Sequence, residues 1–234
     1  MFFEMKATVL LKQSKHHLEM PEIIGNWVGR AELKDDELRL HHYDATYKNR
    51  VFSQPFPREK DGIYKQGRVY VIVIRSSVEN ILRRVAEALQ LLEDDTYFEL
   101  LAVSPIQSKR MMHITELTTV TPAIVTVDSK PWVPGDNLEL LLNRIHANAE
   151  KKYNQLNSSE PIRLDYEFAE GIQVLNQKPI AYCYKGRKLL GNKVRLLIRE
   201  DELSQRLAHV VLGSGLSEKN SVLGAGFCLA KGLD

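Results

Sequence analysis

Apolar and polar residues alternate from residue 2 to residue 12, as in a strand with one buried face. Pro21 then opens a stretch in which Ile24, Trp27, Val28 and Ala31 recur at helical spacing on one side. Gly25 and Gly29 weaken that helix and leave room for close packing on its surface. A short second helix is expected from about Asp35 to His41 and His42. Residues 67–74, GRVYVIVI, form a β-branched run suited to a central strand. Val78, Ile81, Leu82, Val85, Leu89 and Leu92 follow at helical spacing, with Ser76 or Ser77 available as N-cap, and residues 97–103 read as another strand.

The second half repeats this order. Residues 118–127 suggest a strand, Pro131 and Pro134-Gly135 a loop, and Asp136 a cap for a helix whose stripe is Leu138, Leu141, Leu142, Ile145, Ala149, Tyr153 and Leu156. Strand-like stretches follow at 162–168, 171–175, 179–184 and 194–199. A helix bearing Leu203, Leu207, Val210 and Val211 is expected to stop at Gly213, and GAGFCLAK reads as a final strand. Two βαββαβ units predict an α+β chain of two tandem ferredoxin-like, RRM-like domains with antiparallel sheets, residues 1–112 and 113–234. The repeat is one of element order, not of residues.

A chain of 234 residues accommodates two such units, and 44% hydrophobic with 26% charged residues is the composition of an ordinary soluble protein. No apolar run approaches the roughly 20 residues of a membrane helix, and the amino terminus lacks signal-peptide character, so a cytoplasmic location and no membrane partner are expected. Cys183 and Cys228 are far apart and in no metal-ligand spacing. The net charge of +2 is unevenly spread. Residues 178–199 carry Lys178, Lys185, Arg187, Lys188, Lys193, Arg195 and Arg199 with no acidic residue among them. Residues 48–75 carry Lys48, Arg50, Arg58, Lys60, Lys65, Arg68 and Arg75 against Glu59 and Asp61. With Tyr64, Tyr182 and Tyr184 available to stack on bases, these stretches point to a polyanion, and Lys185, Arg187, Lys188, Lys193 and Arg195 are candidate RNA-backbone contacts. RNA is preferred to duplex DNA because no helix-turn-helix, zinc finger or basic zipper is visible.

Residues 213–228, GSGLSEKNSVLGAGFC, hold two Gly-x-Gly pairs. The loop lacks the Gly-Lys-Ser/Thr ending of a nucleotide loop and follows a helix instead of a strand. Its amides could form an anion cradle, with Ser214, Ser217, Lys219 and Ser221 as further donors and Gly224 and Gly226 permitting close approach of RNA. This loop, together with LHHYDATYKNRVFSQPFP at 40–57, resembles the repeat-associated RNA-binding superfamily of CRISPR systems, and within it the endoribonuclease that cuts CRISPR repeat RNA.

The resemblance implies a histidine after the first helix and a lysine six positions on, a spacing held here by His42 and Lys48, with His41 adjacent. The family's tyrosine in the first helix has its approximate place taken by Trp27, while Tyr43 and Tyr47 are near in sequence. It implies cleavage without a metal or other cofactor, with histidine in the proton-transfer role and Lys48 in the electrostatic one. Implied partners are CRISPR repeat RNA and other CRISPR effector subunits, for a monomer or homodimer. The alternative is a non-catalytic RNA-binding subunit of the same fold. A two-metal nuclease is disfavoured, since Asp35-Asp36 and Asp94-Asp95 read as solvated helix ends. His16, His17, His113, His146 and His209 are read as structural or peripheral.

Overall fold

A computed structural model describes residues 1–44, 46–110 and 113–233, with His42 described by its backbone alone. The first half contains β1 (Phe2–Leu11), β2 (Lys15–His16), α1 (Met20–Glu32), α2 (Asp36–His42), β3 (Arg50–Phe52), β4 (Ile63–Tyr64), β5 (Val69–Ser76), α3 (Glu79–Gln90), β6 (Phe98–Val103) and β7 (Gln107–Lys109). The main sheet runs β3-β5-β1-β6, with β7 continuing beside the start of β1. β1 is antiparallel to both neighbours. Its alternation buries Met5, Ala7, Val9 and Leu11 against Ile24, Trp27, Val28 and Ala31 of α1 and Leu82, Val85 and Leu89 of α3.

The second half contains β8 (His113–Thr119), β9 (Thr126–Val127), β10 (Lys130–Pro131), α4 (Leu138–Leu156), β11 (Ala169–Val174), β12 (Ile180–Tyr184), β13 (Arg187–Gly191), β14 (Val194–Ile198), α5 (Glu202–Ser214), α6 (Asn220–Leu223) and β15 (Cys228–Leu233). Its main sheet runs β11-β14-β8-β15. Both sheets therefore place the unit's first and third long strands in the middle, with the second and fourth at the edges. This is the ferredoxin-like order in tandem.

Local details differ from the sequence expectations for identifiable reasons. The strand expected at 118–127 lies earlier, at His113–Thr119, because Pro122 supplies no amide for a ladder and Ala123 pairs instead with Asn192. Residues 162–168 form no strand; Ile162 and Phe168 are pinned to α4 by Asn154 and His146 side chains instead. Val78 takes the N-cap position of α3 without a side-chain cap, while the Ser76 hydroxyl accepts from the Val78 amide. Asn137, not Asp136, caps α4. α5 runs through Gly213 to Ser214 and stops at Gly215, whose φ of 85° only glycine adopts freely. The expected domain limit at 112/113 touches Met111 and Met112, which lie outside the described residues.

The two units lock together. A Cβ on Gly25 of α1 would stand 1.9 Å from the Val222 carbonyl oxygen, and one on Gly213 would stand 2.6 Å from the Ser77 hydroxyl. Arg75 donates to Glu4 (2.8 Å) and to the Cys228 carbonyl (2.7 Å), between the rings of Phe2 and Phe227. Arg50 pairs with Glu32, both buried, and reaches the Ser221 carbonyl.

Candidate functional site

The glycine loop does not stand open. It folds back through left-handed residues at Ser217, Lys219, Gly224 and Gly226, and its middle forms the single turn α6. The close approach that the glycines permit is made by the protein itself. A Cβ on Gly224 would meet the Phe52 carbonyl oxygen at 2.4 Å, and one on Gly226 the Leu216 carbonyl oxygen at 2.1 Å. Gly224, Gly226, Ser214 and Ser217 are buried. The expected cradle around these positions is therefore a packed joint between the units, with Lys219 exposed and Ser221 half-buried.

Opposite the loop lies the segment after α2. Asp35 caps this helix by accepting from the Leu38 amide, and the helix ends at His42. His41 is exposed, with its Nδ1 3.0 Å from the Asp44 carboxylate. The expectation for His42 concerns a side chain outside the described residues. Lys48 turns its ammonium onto the carbonyl oxygens of His41 and Asp44, where the end of the helix concentrates partial negative charge. Partial burial lowers the Lys48 pKa from the ordinary lysine value. Between this segment and the loop is a cavity of about 350 Å³, lined by Lys48, Arg50, Lys152, Lys219 and Ser221 among others.

The side chains joining both walls come from α4. Asn148, Lys152 and Gln155, spaced four and three, share one helical face. Gln155 accepts from the Tyr47 amide at 2.8 Å and donates to the Tyr47 carbonyl at 2.7 Å, and Asn148 donates to the Tyr47 hydroxyl at 3.2 Å. Lys152 is 1% exposed. Its ammonium donates to the Gly215 carbonyl, the Ser217 carbonyl and Asn220 Oδ1, each at 2.7 Å, and sits 5.5 Å from the Tyr47 ring centre. Burial lowers its pKa to about 7, opposed by Cys228 and Glu218.

A second cavity of about 380 Å³ opens between the units and is lined by His17, Arg58, Lys60, Tyr64, Tyr182 and Lys193 among others. Here the two basic stretches meet, and the Arg58 charge adds to burial in lowering the Lys193 pKa. His17, read from its sequence position as peripheral, follows β2 and reaches the cleft by folding against the Gly62 carbonyl. Tyr64 and Tyr182 are buried walls, donating to the Pro55 and Pro122 carbonyls, so neither offers a free ring face as expected for base stacking. Burial pushes the Tyr64 pKa up to about 12 and raises that of Tyr182 further. The β12–β13 hairpin turns at Lys185 and Gly186 and leaves Lys185, Arg187 and Lys188 exposed, while Arg195 pairs with Glu116 at 3.4 Å. Among the described residues no three His, Cys, Asp or Glu side chains are grouped to hold a metal ion, and no helix is long and apolar enough to cross a membrane.

No family model matches this sequence, and no curated protein matches it. Solved structures match along the whole chain. One described as an RAMP protein binding different RNA substrates has a TM-score of 0.75 at 18% identity, covering 98% of this chain and 100% of its own. A Cas6-related protein from Pyrococcus furiosus gives 0.74 at 15% identity, covering 99% of both chains. The fold is Cas6-like. A structure described as CRISPR associated protein Cas6 gives 0.70 at 14% identity over 99% of this chain and 100% of its own. At such identities the likeness is one of fold.

Within the Cas6-like frame, Lys48, Lys219 and Ser221 line one cavity and His41 an adjoining one that shares Lys48, whereas Lys185, Arg187 and Lys188 stand on the hairpin and Lys193 in the cleft. Trp27, at the approximate place of the family's tyrosine, is 1% exposed and packs on Phe98, so it belongs to the core. The α4 trio escapes a reading of the sequence. One signal points to it: Ile145, Ala149, Lys152 and Leu156 fall at helical core spacing, which puts a lysine in an apolar row.

Proposed function

We propose that this chain is a cytoplasmic, metal-independent endoribonuclease that cuts CRISPR repeat RNA in precursor transcripts and so matures guide RNA. In the proposed reaction the ribose 2′-oxygen attacks the adjacent phosphorus. The bond to the 5′-oxygen breaks, leaving a 2′,3′-cyclic phosphate and a 5′-hydroxyl. His42 and His41 supply proton transfer at the 2′- and 5′-oxygens. An Nδ1–H on His41 donated to Asp44 would leave Nε2 to accept or give a proton. Lys48 stabilises the charge gathering on the phosphorus oxygens. The basic hairpin, Lys193, Lys219 and Ser221 hold the backbone on either side.

The observation that carries this reading is the meeting of residues 46–50, just past His41, with the glycine loop across one cavity lined by Lys48, Arg50 and Lys219. Cas6 structures share the fold, and several are described as product or substrate-mimic complexes. A second reading, a non-catalytic RNA-binding subunit, is favoured by the Lys48 ammonium, which is occupied by helix carbonyls. Incubation of the protein with repeat RNA in EDTA separates the two. Cleavage should persist in EDTA, vanish when the 2′-hydroxyl at the cut is removed, and fall by about 10²–10⁴ in His42→Ala. Tight binding without any cut would establish the second reading, and full activity of His42→Ala would move the chemistry to His41.

A further inference from the structure

Lys152 combines three unusual features. It is a lysine with 1% exposure, all three of its ammonium donors are used, and none of the acceptors is a carboxylate. Two acceptors are carbonyl oxygens, of Gly215 and Ser217; the third, Asn220 Oδ1, belongs to a side chain whose amide donates on to Leu216 and Ala225 carbonyls. One ammonium therefore gathers the glycine loop from 215 to 225. A neutral amine has only two N–H bonds, so satisfying all three oxygens requires the charged form.

The same helical face grips the opposite wall. Gln155 pairs with the backbone of Tyr47 in both directions, and Asn148 holds its hydroxyl. Tyr47 immediately precedes Lys48 and lies over the Lys152 ammonium. The α4 trio thus touches the loop of the second unit and the His–Lys segment of the first at the same point. Within the trio, Lys152 is the member that meets both walls.

We propose that Lys152 is the positioning residue of the proposed nuclease site, fixing the glycine loop and the Tyr47–Lys48 segment in register from α4. This rests on the nuclease reading for its consequence in cleavage, and on geometry alone for its consequence in motion. Charged or titratable groups around the ammonium are Tyr47, Glu218 on the loop and Cys228 on β15, with Asp44, Lys48, Arg50 and Lys219 lining the same cavity. With its pKa lowered to about 7, Lys152 changes between three donors and two across neutral pH.

The test compares wild type with Lys152→Met and Gln155→Ala. Amide hydrogen exchange, corrected for intrinsic rates, is followed at pH 6 and pH 8 in residues 214–226 and 46–50, beside single-turnover cleavage and binding of a 2′-deoxy repeat RNA. In wild type, protection of the loop should be higher at pH 6 than at pH 8. Lys152→Met should abolish that difference and loosen both segments, with cleavage falling at least tenfold while binding changes less than threefold. Gln155→Ala, at a more exposed position, should keep the melting temperature and lower cleavage several-fold, loosening segment 46–50 only. A loop-only or uniform loosening in Lys152→Met, or cleavage and binding reduced in equal measure, would overturn the proposal. If Lys152→Met does not fold, an unchanged cleavage rate and unchanged exchange at 46–50 in Gln155→Ala would overturn it. If wild type cleaves nothing, the nuclease reading fails, and the exchange data still decide whether Lys152 sets the register.

Discussion

In residues 48–75 most cations face carboxylates of their own chain, whereas in the β12–β13 hairpin they face solvent. Arg50 is spent on Glu32, Arg75 on Glu4, Lys65 on Asp61 and Arg68 on Glu59, and Lys48 on helix carbonyls. Arg58 and Lys60 remain at the cleft. Lys185, Arg187 and Lys188, by contrast, are exposed, and the Glu22 carboxylate at the hairpin turn accepts from the Lys185 backbone amide. Two basic stretches thus do different work. One ties the first unit to itself and, through Arg50 and Arg75, to carbonyls of the second; the other is exposed. A charge has to be read through its partner, because removing one member of a buried pair costs far more than removing a solvated ion.

The sharpest test of this contrast is Arg75→Met. It strands the Glu4 carboxylate and the Cys228 carbonyl, and should cost about 3–5 kcal/mol in chemical denaturation; a loss under about 1 kcal/mol would place Arg75 with the surface cations. Next is Gly226→Val, which forces a side chain against the Leu216 carbonyl in a left-handed backbone. We expect a destabilisation of about 1–3 kcal/mol or more, with RNA affinity following stability instead of leading it; weakened binding at an unchanged melting temperature would restore the exposed-cradle expectation. The smallest effect on stability belongs to a triple alanine variant of Lys185, Arg187 and Lys188. Its stability should stay within about 0.5 kcal/mol of wild type. Its RNA affinity should drop, and the slope of log affinity against log salt should flatten by roughly 0.7 for each phosphate that is no longer neutralised. An unaltered slope would remove the hairpin from the interface.

The fold was legible because its determinants are local. The stripe of Ile24, Trp27, Val28 and Ala31, the β-branched run of β5 and the α3 periodicity each reflect a regular face turned to one core. Gly25 was legible as a packing notch, though what fills it is Val222, from the far end of the chain. The site was less so. Helical spacing puts Lys152 in the apolar row of α4, but its acceptors are groups of the distant glycine loop that spacing does not show. His17, Arg58 and Lys193 meet through the docking of two units, which no spacing records. Tyr64 and Tyr182 looked like stacking rings because residue type shows an aromatic but not the wall behind it.

The notch at Gly25 has one more implication. Because Val222 enters it with less clearance than any side chain needs, rotation of one half against the other would first require withdrawing that residue. At this point the spacing of the halves is set by backbone against backbone, with no side chain between them to repack.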